Sequence, residues 1–289
     1  MDDRRSETIL DLKDQYLNGQ LNRRQFVDRL TRVMGGTAAA VAVLPLLGCD
    51  SAGSEKRQPH EARLMISEAE WEVDGVTMKG YMARLPGGER RPAVLVISEN
   101  RGMNPHIEDV TRRMAREGFL ALAPDILSPV GGTPADVDSA RAMMSELNPE
   151  ETLPRLAGAV PFLAEHPEST GKVGAIGFCW GGGYANRLAA AGTSLNAAVP
   201  YYGRQLPLEQ VPDITAPLCL HYAGDDERIN AGIADYETAL QANNKPYELY
   251  MYDGARHAFN NDTSERYDEE AATLAWGRTI DFLRRHLRE

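Results

Sequence analysis

The sequence predicts an α/β protein with a mostly parallel, doubly wound sheet that carries helices on both faces. Short apolar runs such as 93–97 have the length of a strand and show no alternation, as expected for strands buried on both faces. Segments of helical periodicity separate these runs along the chain. A glycine-rich turn, 177–182, joins one run directly to a helix. Strands and helices that alternate in this way form a parallel sheet with right-handed crossovers.

The individual elements follow from their boundary residues. Asp74-Gly75 predicts a hairpin turn, and Asn104-Pro105 predicts a helix start with proline at the first helical position. Gly118 is expected to end that helix. The predicted strands are 70–73, 76–81, 93–97, 119–122, 173–176, 197–201, 218–222 and 247–251. Further helices are predicted over 180–191 and 231–243, and along the face formed by Trp276, Ile280, Leu283 and Leu287.

The stretch 149–166 gives a mixed pattern. Asn148-Pro149 is typical of a helix start, but Pro154 and Pro161 lie within the helix that would follow. Because proline lacks an N–H and clashes with the preceding turn, we expect this helix to be kinked or split.

Composition narrows the class of protein. Hydrophobic residues make up 43% and charged residues 25%, which is ordinary for a soluble globular domain. The net charge of -11 argues against nucleic acid as a partner, because phosphate binding requires clustered Lys and Arg. Cys49, Cys179 and Cys219 lie far apart, so neither a zinc site nor a disulfide framework is expected.

The N-terminal segment 1–48 is predicted to be an export signal. It combines a charged region containing Arg23-Arg24, a short apolar run and small residues, and the arginine pair fits a twin-arginine signal. Gly35, Gly36 and Pro45 interrupt the apolar run, which is shorter than the roughly 20 residues of a spanning helix. The alternative is an amphipathic helix followed by a buried helix.

The sequence Leu46-Leu47-Gly48-Cys49 resembles the bacterial lipobox, in which the cysteine is lipidated and becomes the first residue of the mature chain. Residues 49–66 then form a flexible tether, and 67–289 form a single catalytic domain. This organisation predicts an exported lipoprotein, anchored in the membrane and facing the periplasm or the cell exterior.

The turn 177–182 has the spacing of a nucleophile elbow, with Cys179 in the position that serine usually holds. Glycines two residues before and after Cys179 permit the sharp turn. The helix N-terminus should lower the pKa of the thiol, and the Trp180 N–H can face an oxyanion. The alternatives are an inert buried cysteine or a phosphate-binding loop. Cys219 lies within an apolar run and is expected to be an unreactive core residue.

A thiol nucleophile needs a base that a third group orients. His257 follows the strand 247–251, which places it at the same sheet edge as Cys179. His221 and His286 are expected to be structural or solvated. The orienting acid should follow strand 218–222, where Asp226 is favoured and Asp225 is the next candidate.

Together these motifs resemble the dienelactone hydrolases, or carboxymethylenebutenolidases, of the α/β-hydrolase superfamily. The matching segments are 96–102, 123–125, 177–182, 201–203, 224–229 and 254–259, within a resemblance that covers roughly residues 70–287. The resemblance implies an α/β-hydrolase fold, a triad of Cys179, His257 and Asp226, and a role for Glu99 in taking the thiol proton when substrate binds. The alternative for Glu99 is a loop carboxylate that pairs with Arg101.

The resemblance also implies a second oxyanion donor, the N–H of Asn100, and places Tyr201 and Tyr202 near the substrate. The sequence departs from the family at two arginines that bind the substrate carboxylate in its best-known members, since Asn261 and Pro129 stand there. A dienelactone substrate is therefore doubtful. Arg101 and Arg204 could replace the pair, or could form surface ion pairs.

The sequence predicts a hydrolase that cleaves a small-molecule carboxylic ester or lactone through an acyl-thioenzyme, without a metal or organic cofactor. Two alternatives remain open. A thioesterase or acyltransferase could use the same triad and would differ in the group that accepts the acyl chain. A non-catalytic binding protein could retain the fold, although the complete set of Cys179, His257, Asp226 and Glu99 argues against it.

Overall fold

The computed structural model describes residues 64–288, together with Arg29 and Val33. The chain divides into two units, Met1–Glu61 and Ala62–Glu289, and the second contains all the elements discussed below. The predicted export signal, Cys49 and nearly all of the tether lie outside the described residues. Among the residues that are described, no helix combines the length and hydropathy needed to cross a bilayer.

The second unit contains eight strands and seven α-helices among its described residues. The strands are β1 Met65–Val73, β2 Val76–Arg84, β3 Arg91–Ile97, β4 Leu120–Asp125, β5 Ser169–Phe178, β6 Ala197–Tyr201, β7 Leu218–Asp225 and β8 Tyr247–Arg256. The helices are α1 Pro105–Arg116, α2 Val137–Ser145, α3 Pro149–Ala164, α4 Trp180–Ala190, α5 Glu227–Asn230, α6 Ile233–Ala242 and α7 Glu269–His286. Two short 3₁₀ segments, Ser128–Val130 and Leu208–Asp213, lie in connections.

All eight strands form one sheet in the order β1-β2-β4-β3-β5-β6-β7-β8. The β1–β2 hairpin turns at Asp74-Gly75 as predicted, and it joins β4 in antiparallel fashion. The strands from β4 to β8 run parallel to one another. The predicted α/β fold with a mostly parallel sheet is therefore confirmed. Its parallel strands all end at one edge, where loops can bring distant side chains together.

The sheet buries apolar side chains on both faces. In β3, Leu95 and Ile97 belong to one core cluster, while Val94 and Val96 belong to the cluster on the opposite face. All four are almost completely buried, which explains why the sequence of this strand shows no alternation.

Helix α1 begins as predicted. The Asn104 side chain accepts hydrogen bonds from the N–H groups of His106 and Ile107, and Pro105 occupies the first helical position.

Helix α3 differs from the prediction, because it continues without a break from Pro149 to Ala164 despite Pro154 and Pro161. Each internal proline removes one helical hydrogen bond and costs about 3 kcal/mol. One face of α3, including Leu156, Val160 and Leu163, is buried in the core. This burial offsets the cost of the prolines and keeps the helix whole.

Several element boundaries differ from the predicted ones. Strand β8 continues beyond the predicted end at 251 to Arg256, which pairs with Asp225 at the end of β7 across a register shift. At the other end of the domain, β1 begins at Met65, two residues before the predicted domain start at 67. The predicted helix 231–243 corresponds to α6, Ile233–Ala242, and the short helix α5, Glu227–Asn230, precedes it and was not predicted.

Candidate active site

Cys179 lies in a sharp turn between β5 and α4. Its backbone has φ 54° and ψ -108°, a conformation that is strained for a residue with a side chain. A Cβ atom on Gly177 would lie 2.0 Å from the carbonyl oxygen of Gly181, and one on Gly181 would lie 2.4 Å from the carbonyl oxygen of Ile97. The turn therefore requires glycine at both positions, as the spacing in the sequence indicates.

Two backbone hydrogen bonds hold this turn against its neighbours. The Cys179 N–H donates to the Tyr201 carbonyl at 3.0 Å, and the Gly181 N–H donates to the Ser98 carbonyl at 3.1 Å. The nucleophile is thus fixed to the ends of both β3 and β6. The Trp180 N–H lies close enough to the Cys179 sulfur to stabilise its anionic form. This is one of the two predicted oxyanion donors; Asn100, the other, lines the same cavity.

His257 and Asp226 lie on neighbouring loops, directly after β8 and β7. His257 Nδ1 is hydrogen-bonded to Asp226 Oδ2. Asp226 is buried, while Asp225, the other candidate acid, is exposed in the last position of β7. Of the two candidate acids, Asp226 is therefore the one that can orient the His257 ring. A ring that gives its Nδ1 proton to a carboxylate has Nε2 free for proton transfer.

Cys179 and His257 line one cavity of about 590 Å³. The apolar part of its lining includes Pro149, Trp180, Tyr184, Pro207 and Ile229. Within the described part of the chain, the Cys179 sulfur makes no hydrogen bond to His257. The arrangement brings a thiol, an imidazole and a carboxylate to one site and leaves room for a small organic molecule.

Glu99 is buried beside this site. Its Oε2 accepts a hydrogen bond from Asn261 Nδ2 at 2.9 Å, while Oε1 is buried without a partner among the described residues. Asn261 Oδ1 in turn accepts from the N–H and the hydroxyl of Thr263, at 3.0 and 2.7 Å. Glu99 forms no ion pair with Arg101. The alternative in which Glu99 only pairs with Arg101 is therefore wrong.

The acidity of the Cys179 thiol differs from the prediction. Burial raises the pKa of Cys179 to about 11, and the nearby carboxylate of Glu99 adds to the increase. The Trp180 N–H at the start of α4 lowers this pKa, as the helix position predicts, but the effect of burial is larger. The expectation of a lowered thiol pKa is therefore wrong for this state of the protein, in which the sulfur is a protonated thiol at neutral pH.

We expect iodoacetamide to alkylate Cys179 slowly at neutral pH and faster as the pH rises towards 11, because only the thiolate reacts. Compared with a thiol that titrates at 9.0, the thiolate fraction at pH 8 should be about 100-fold smaller. Glu99→Gln removes a negative charge near the sulfur and should speed alkylation at pH 8. Mass spectrometry of the Cys179 peptide measures the rate, with buried Cys219 as the internal control. A rate that is already maximal at pH 7 would contradict this prediction.

The predicted substrate-contacting residues have different positions in the structure. Tyr202 and Arg204 line the main cavity. Arg101 lies beside a neighbouring polar cavity on the Glu99 side. Tyr201 does not reach either cavity, and its assignment as a substrate contact is wrong. It is the last residue of β6, fully buried, and its hydroxyl is bonded to Thr279 at 2.6 Å in the core.

Sequence reasoning missed Arg187 and Arg228, which also line the cavity. Arg228 lies two residues after Asp226 at the carboxyl end of a predicted strand, a position that could have suggested it. Arg187 lies seven residues after Trp180 on the same helix, where helical periodicity returns it to the same face.

The remaining histidines and cysteine behave as structural residues. His221 is fully buried and bonded to the hydroxyls of Tyr252 and Thr279, at 2.8 and 3.0 Å. Burial lowers the pKa of His221 to about 3 and raises the pKa of the neighbouring Cys219 thiol well above its usual value. His286 is exposed on α7. Over the residues described, no three His, Cys, Asp or Glu side chains converge on a possible metal site.

Comparison with known proteins gives consistent results. Residues 78–287 match the model of the dienelactone hydrolase family. A Saccharolobus solfataricus protein named "putative carboxymethylenebutenolidase" is 34% identical over 257 residues, covering 76% of this chain and 99% of its own. A Bradyrhizobium protein named "probable 2-oxo-3-(5-oxofuran-2-ylidene)propanoate lactonase" is 32% identical, covering 74% and 92%. A crystal structure of a "putative dienelactone hydrolase" from Klebsiella pneumoniae superposes with a TM-score of 0.70 at 29% identity, covering 76% and 98%.

Proposed function

This chain belongs to the dienelactone hydrolase family and is an ester or lactone hydrolase, and we propose that it acts through an acyl-thioenzyme on Cys179. The observation that carries the proposal is the shared cavity, in which Cys179 lies with a histidine that is already bonded to a buried carboxylate. A nucleophile, a base and an orienting acid in this order are the requirements of covalent acyl transfer.

In the proposed first step the Cys179 thiol gives its proton to Glu99 as substrate binds. The thiolate attacks the substrate carbonyl, a C–S bond forms, and the carbonyl electrons move onto oxygen. The N–H groups of Trp180 and Asn100 stabilise this oxyanion. In this proposal His257 starts the cycle as an imidazolium paired with Asp226. When the tetrahedral intermediate collapses, the C–O bond breaks and His257 donates its Nε2 proton to the leaving alkoxide, and the second step restores the imidazolium.

In the second step neutral His257 removes a proton from water, and the resulting hydroxide attacks the thioester. The C–S bond then breaks and releases a carboxylic acid. Glu99 returns its proton to the sulfur, which restores the resting thiol. Asp226 stabilises the imidazolium and holds the ring in one orientation through both steps.

A thiol that stays protonated until substrate arrives is consistent with the buried position of Cys179. Burial and the Glu99 charge keep its pKa at about 11, so few resting molecules contain the reactive thiolate. The buried, unpartnered Oε1 of Glu99 offers an acceptor for the proton. The nucleophile is therefore protected from electrophiles other than the substrate.

The purified chain should be assayed against p-nitrophenyl esters, small lactones and thioesters. We expect release of p-nitrophenol together with acylation of the Cys179 peptide, detected by mass spectrometry after rapid acid quenching. Transfer to added alcohols in preference to water would indicate an acyltransferase instead. Acylation of another residue during turnover would refute the proposed nucleophile.

We also propose that the hydrolase domain is exported and anchored to a membrane through lipid on Cys49. The arginine pair, the short apolar run and the lipobox-like sequence ending at Cys49 support this proposal. Mass spectrometry of protein from the membrane fraction tests it. A mature chain that still begins at Met1, with no acyl mass on Cys49, would overturn the anchor.

A further inference from the structure

We propose that the hydroxyl of Tyr202 donates a hydrogen bond to Oε1 of Glu99 and thereby keeps this buried carboxylate ionised. Tyr202 is then a positioning residue, because it acts on the reaction through Glu99. The inference rests on the proposed function, in which Glu99 takes the proton of the Cys179 thiol. It adds to that function a residue that prepares Glu99 for this transfer.

The hydroxyl of Tyr202 and the Oε1 atom of Glu99 are both buried, and each lacks what the other offers. Tyr202 is fully buried, and its hydroxyl has no hydrogen-bonding partner in the part of the chain that the structure describes. Oε1 of Glu99 also has no partner there. Since almost all buried polar groups in proteins are hydrogen-bonded, we expect this donor and this acceptor to bond to each other.

The charge of Glu99 acts on the Tyr202 hydroxyl. Burial raises the pKa of Tyr202 well above its ordinary value, and the negative charge of Glu99 is the next largest cause. An interaction between the hydroxyl and the Glu99 side chain adds to the increase. The hydroxyl therefore lies near the carboxylate and keeps its proton at neutral pH, so that it can serve as a donor in the resting enzyme.

The backbone around Tyr202 fixes the place of its side chain. Tyr202 directly follows β6 and has φ 37°, which is uncommon for a residue with a side chain. Its N–H donates to the His221 carbonyl at 2.7 Å. The next residue, Gly203, lies so close to α4 that a Cβ atom on it would be 2.3 Å from the carbonyl carbon of Gly182. Such a conformation persists only where the surrounding structure enforces it, as is common at functional sites.

The ring of Tyr202 is packed between the catalytic histidine and the core. Its centroid lies 5.0 Å from that of His257 and 5.4 Å from that of Phe259. Tyr202 also lines the cavity that contains Cys179 and His257. Because this packing restricts the ring, the hydroxyl is held in one place relative to Glu99.

A buried carboxylate needs hydrogen-bond donors in order to stay ionised. Burial favours the neutral form of an acid, whereas hydrogen bonds to the carboxylate favour its charged form. Asn261 supplies one such bond, to Oε2 of Glu99. The Tyr202 hydroxyl supplies a second, to Oε1. A carboxylate oxygen can accept more than one hydrogen, so this bond leaves room on Oε1 for the thiol proton.

Other charged groups face Glu99 from several loops. Cys179 and His257 line one of the polar cavities beside Glu99, and six further charged side chains line these cavities: Arg101, Arg141, Arg228, Arg256, Glu265 and Arg266. Over the residues described, Glu99 is bonded to Asn261 and to none of these charged groups. The variants compared below all retain the six side chains, so differences between the variants report on the tyrosine hydroxyls.

Infrared spectroscopy of the full chain tests the bond without turnover, because a protonated carboxyl group has a carbonyl band that a carboxylate lacks. Subtraction of the spectrum of a matched Glu99→Gln protein isolates the Glu99 band, which is followed as the pH is lowered. Tyr202→Phe removes the hydroxyl and keeps the ring. We expect it to move the midpoint of the Glu99 titration up by about one pH unit, as loss of a hydrogen bond to a charged group predicts.

Tyr222→Phe is the matched control. Tyr222 is fully buried in β7, its hydroxyl also lacks a partner among the residues described, and it belongs to the core cluster on the opposite face of the sheet from Tyr202. This variant should leave the Glu99 titration unchanged. A midpoint that does not move in Tyr202→Phe, or that moves equally in both tyrosine variants, would overturn the inference.

The pH dependence of ester hydrolysis tests the consequence for catalysis. Since the proposed mechanism needs an ionised Glu99, Tyr202→Phe should move the acid limb of kcat/KM up by about one pH unit and lower kcat/KM about 10-fold below that limb. A purely structural loss would be the same at every pH. In the Glu99→Gln protein, Tyr202→Phe should cause no further loss, and an undiminished effect there would overturn the inference.

The two measurements also separate this inference from the proposed function. A shifted infrared titration together with an unchanged acid limb would support the bond from Tyr202 and would refute Glu99 as the acceptor of the thiol proton. An unshifted titration in a chain that forms the acyl-enzyme on Cys179 would refute the role of Tyr202 and leave the proposed function intact.

Discussion

Replacing Cys179 with alanine is expected to lower kcat/KM for ester hydrolysis by about 10³-fold or more, as found when the nucleophile of a catalytic triad is removed. The alanine cannot form the acyl-enzyme, and the remaining rate would come from the oxyanion donors and from binding. The variant should fold, because the substitution removes one sulfur from a half-buried position. Steady-state kinetics with a p-nitrophenyl ester measure the loss.

Cys219→Ala is the matched control for this prediction. Cys219 is fully buried in β7, and its sulfur contacts His221 away from the cavity. This variant should retain most of the activity, although removal of a buried group can lower the stability of the fold. Ester hydrolysis that is unchanged in Cys179→Ala, or lost instead in Cys219→Ala with the fold intact, would show that the nucleophile has been misassigned.

Asp226→Asn is expected to lower kcat by about 10³- to 10⁴-fold, the range found when the acid of a serine-protease triad is replaced by its amide. An amide that donates towards Nδ1 favours the wrong tautomer of His257 and no longer stabilises the imidazolium. The adjacent variant Asp225→Asn removes the same charge one residue earlier. Since Asp225 is exposed and not bonded to His257, its substitution should change kcat only slightly.

Measurement of kcat for both variants over pH 6 to 9 separates the two acids. A loss confined to Asp226→Asn at every pH supports the assignment of the triad acid. If Asp225→Asn caused the larger loss, the orienting acid would have to be reassigned. Comparable small losses in both would mean that His257 needs no carboxylate partner, which would contradict the proposed mechanism.

The sequence was sufficient to predict the elements whose physical causes are local. Apolar runs identified β3 and β7, Asn104-Pro105 identified the start of α1, and glycine spacing identified the turn at Cys179. Tertiary packing decided the features that were missed. Prolines within α3 do not break it because its buried face holds it to the sheet.

The features of the site also divide into those that local sequence predicts and those that tertiary packing decides. The order of nucleophile, acid and histidine could be predicted from motifs that lie at strand ends. The pKa of Cys179 could not be predicted from the sequence. It depends on how deeply the sulfur is buried and on the carboxylate of Glu99, which lies 80 residues earlier in the chain. The arginines at 187 and 228 were missed because their common cavity is formed by six separate segments of the chain. The position of Tyr201 was predicted wrongly, because the alternation of side chains along β6 decides which way the Tyr201 side chain points.

A series of hydrogen bonds from Thr263 through Asn261 to Glu99 makes the two oxygens of the Glu99 carboxylate differ in their readiness to take a proton. Both donors of Thr263 bond to the amide oxygen of Asn261, so this amide can only present its nitrogen to Glu99. Oε2 therefore already accepts one hydrogen bond, whereas Oε1 has no partner among the described residues and is the oxygen better placed to take a proton. The neutral side chain at 261 thus gives the two oxygens of Glu99 different surroundings, which favours proton exchange at Oε1.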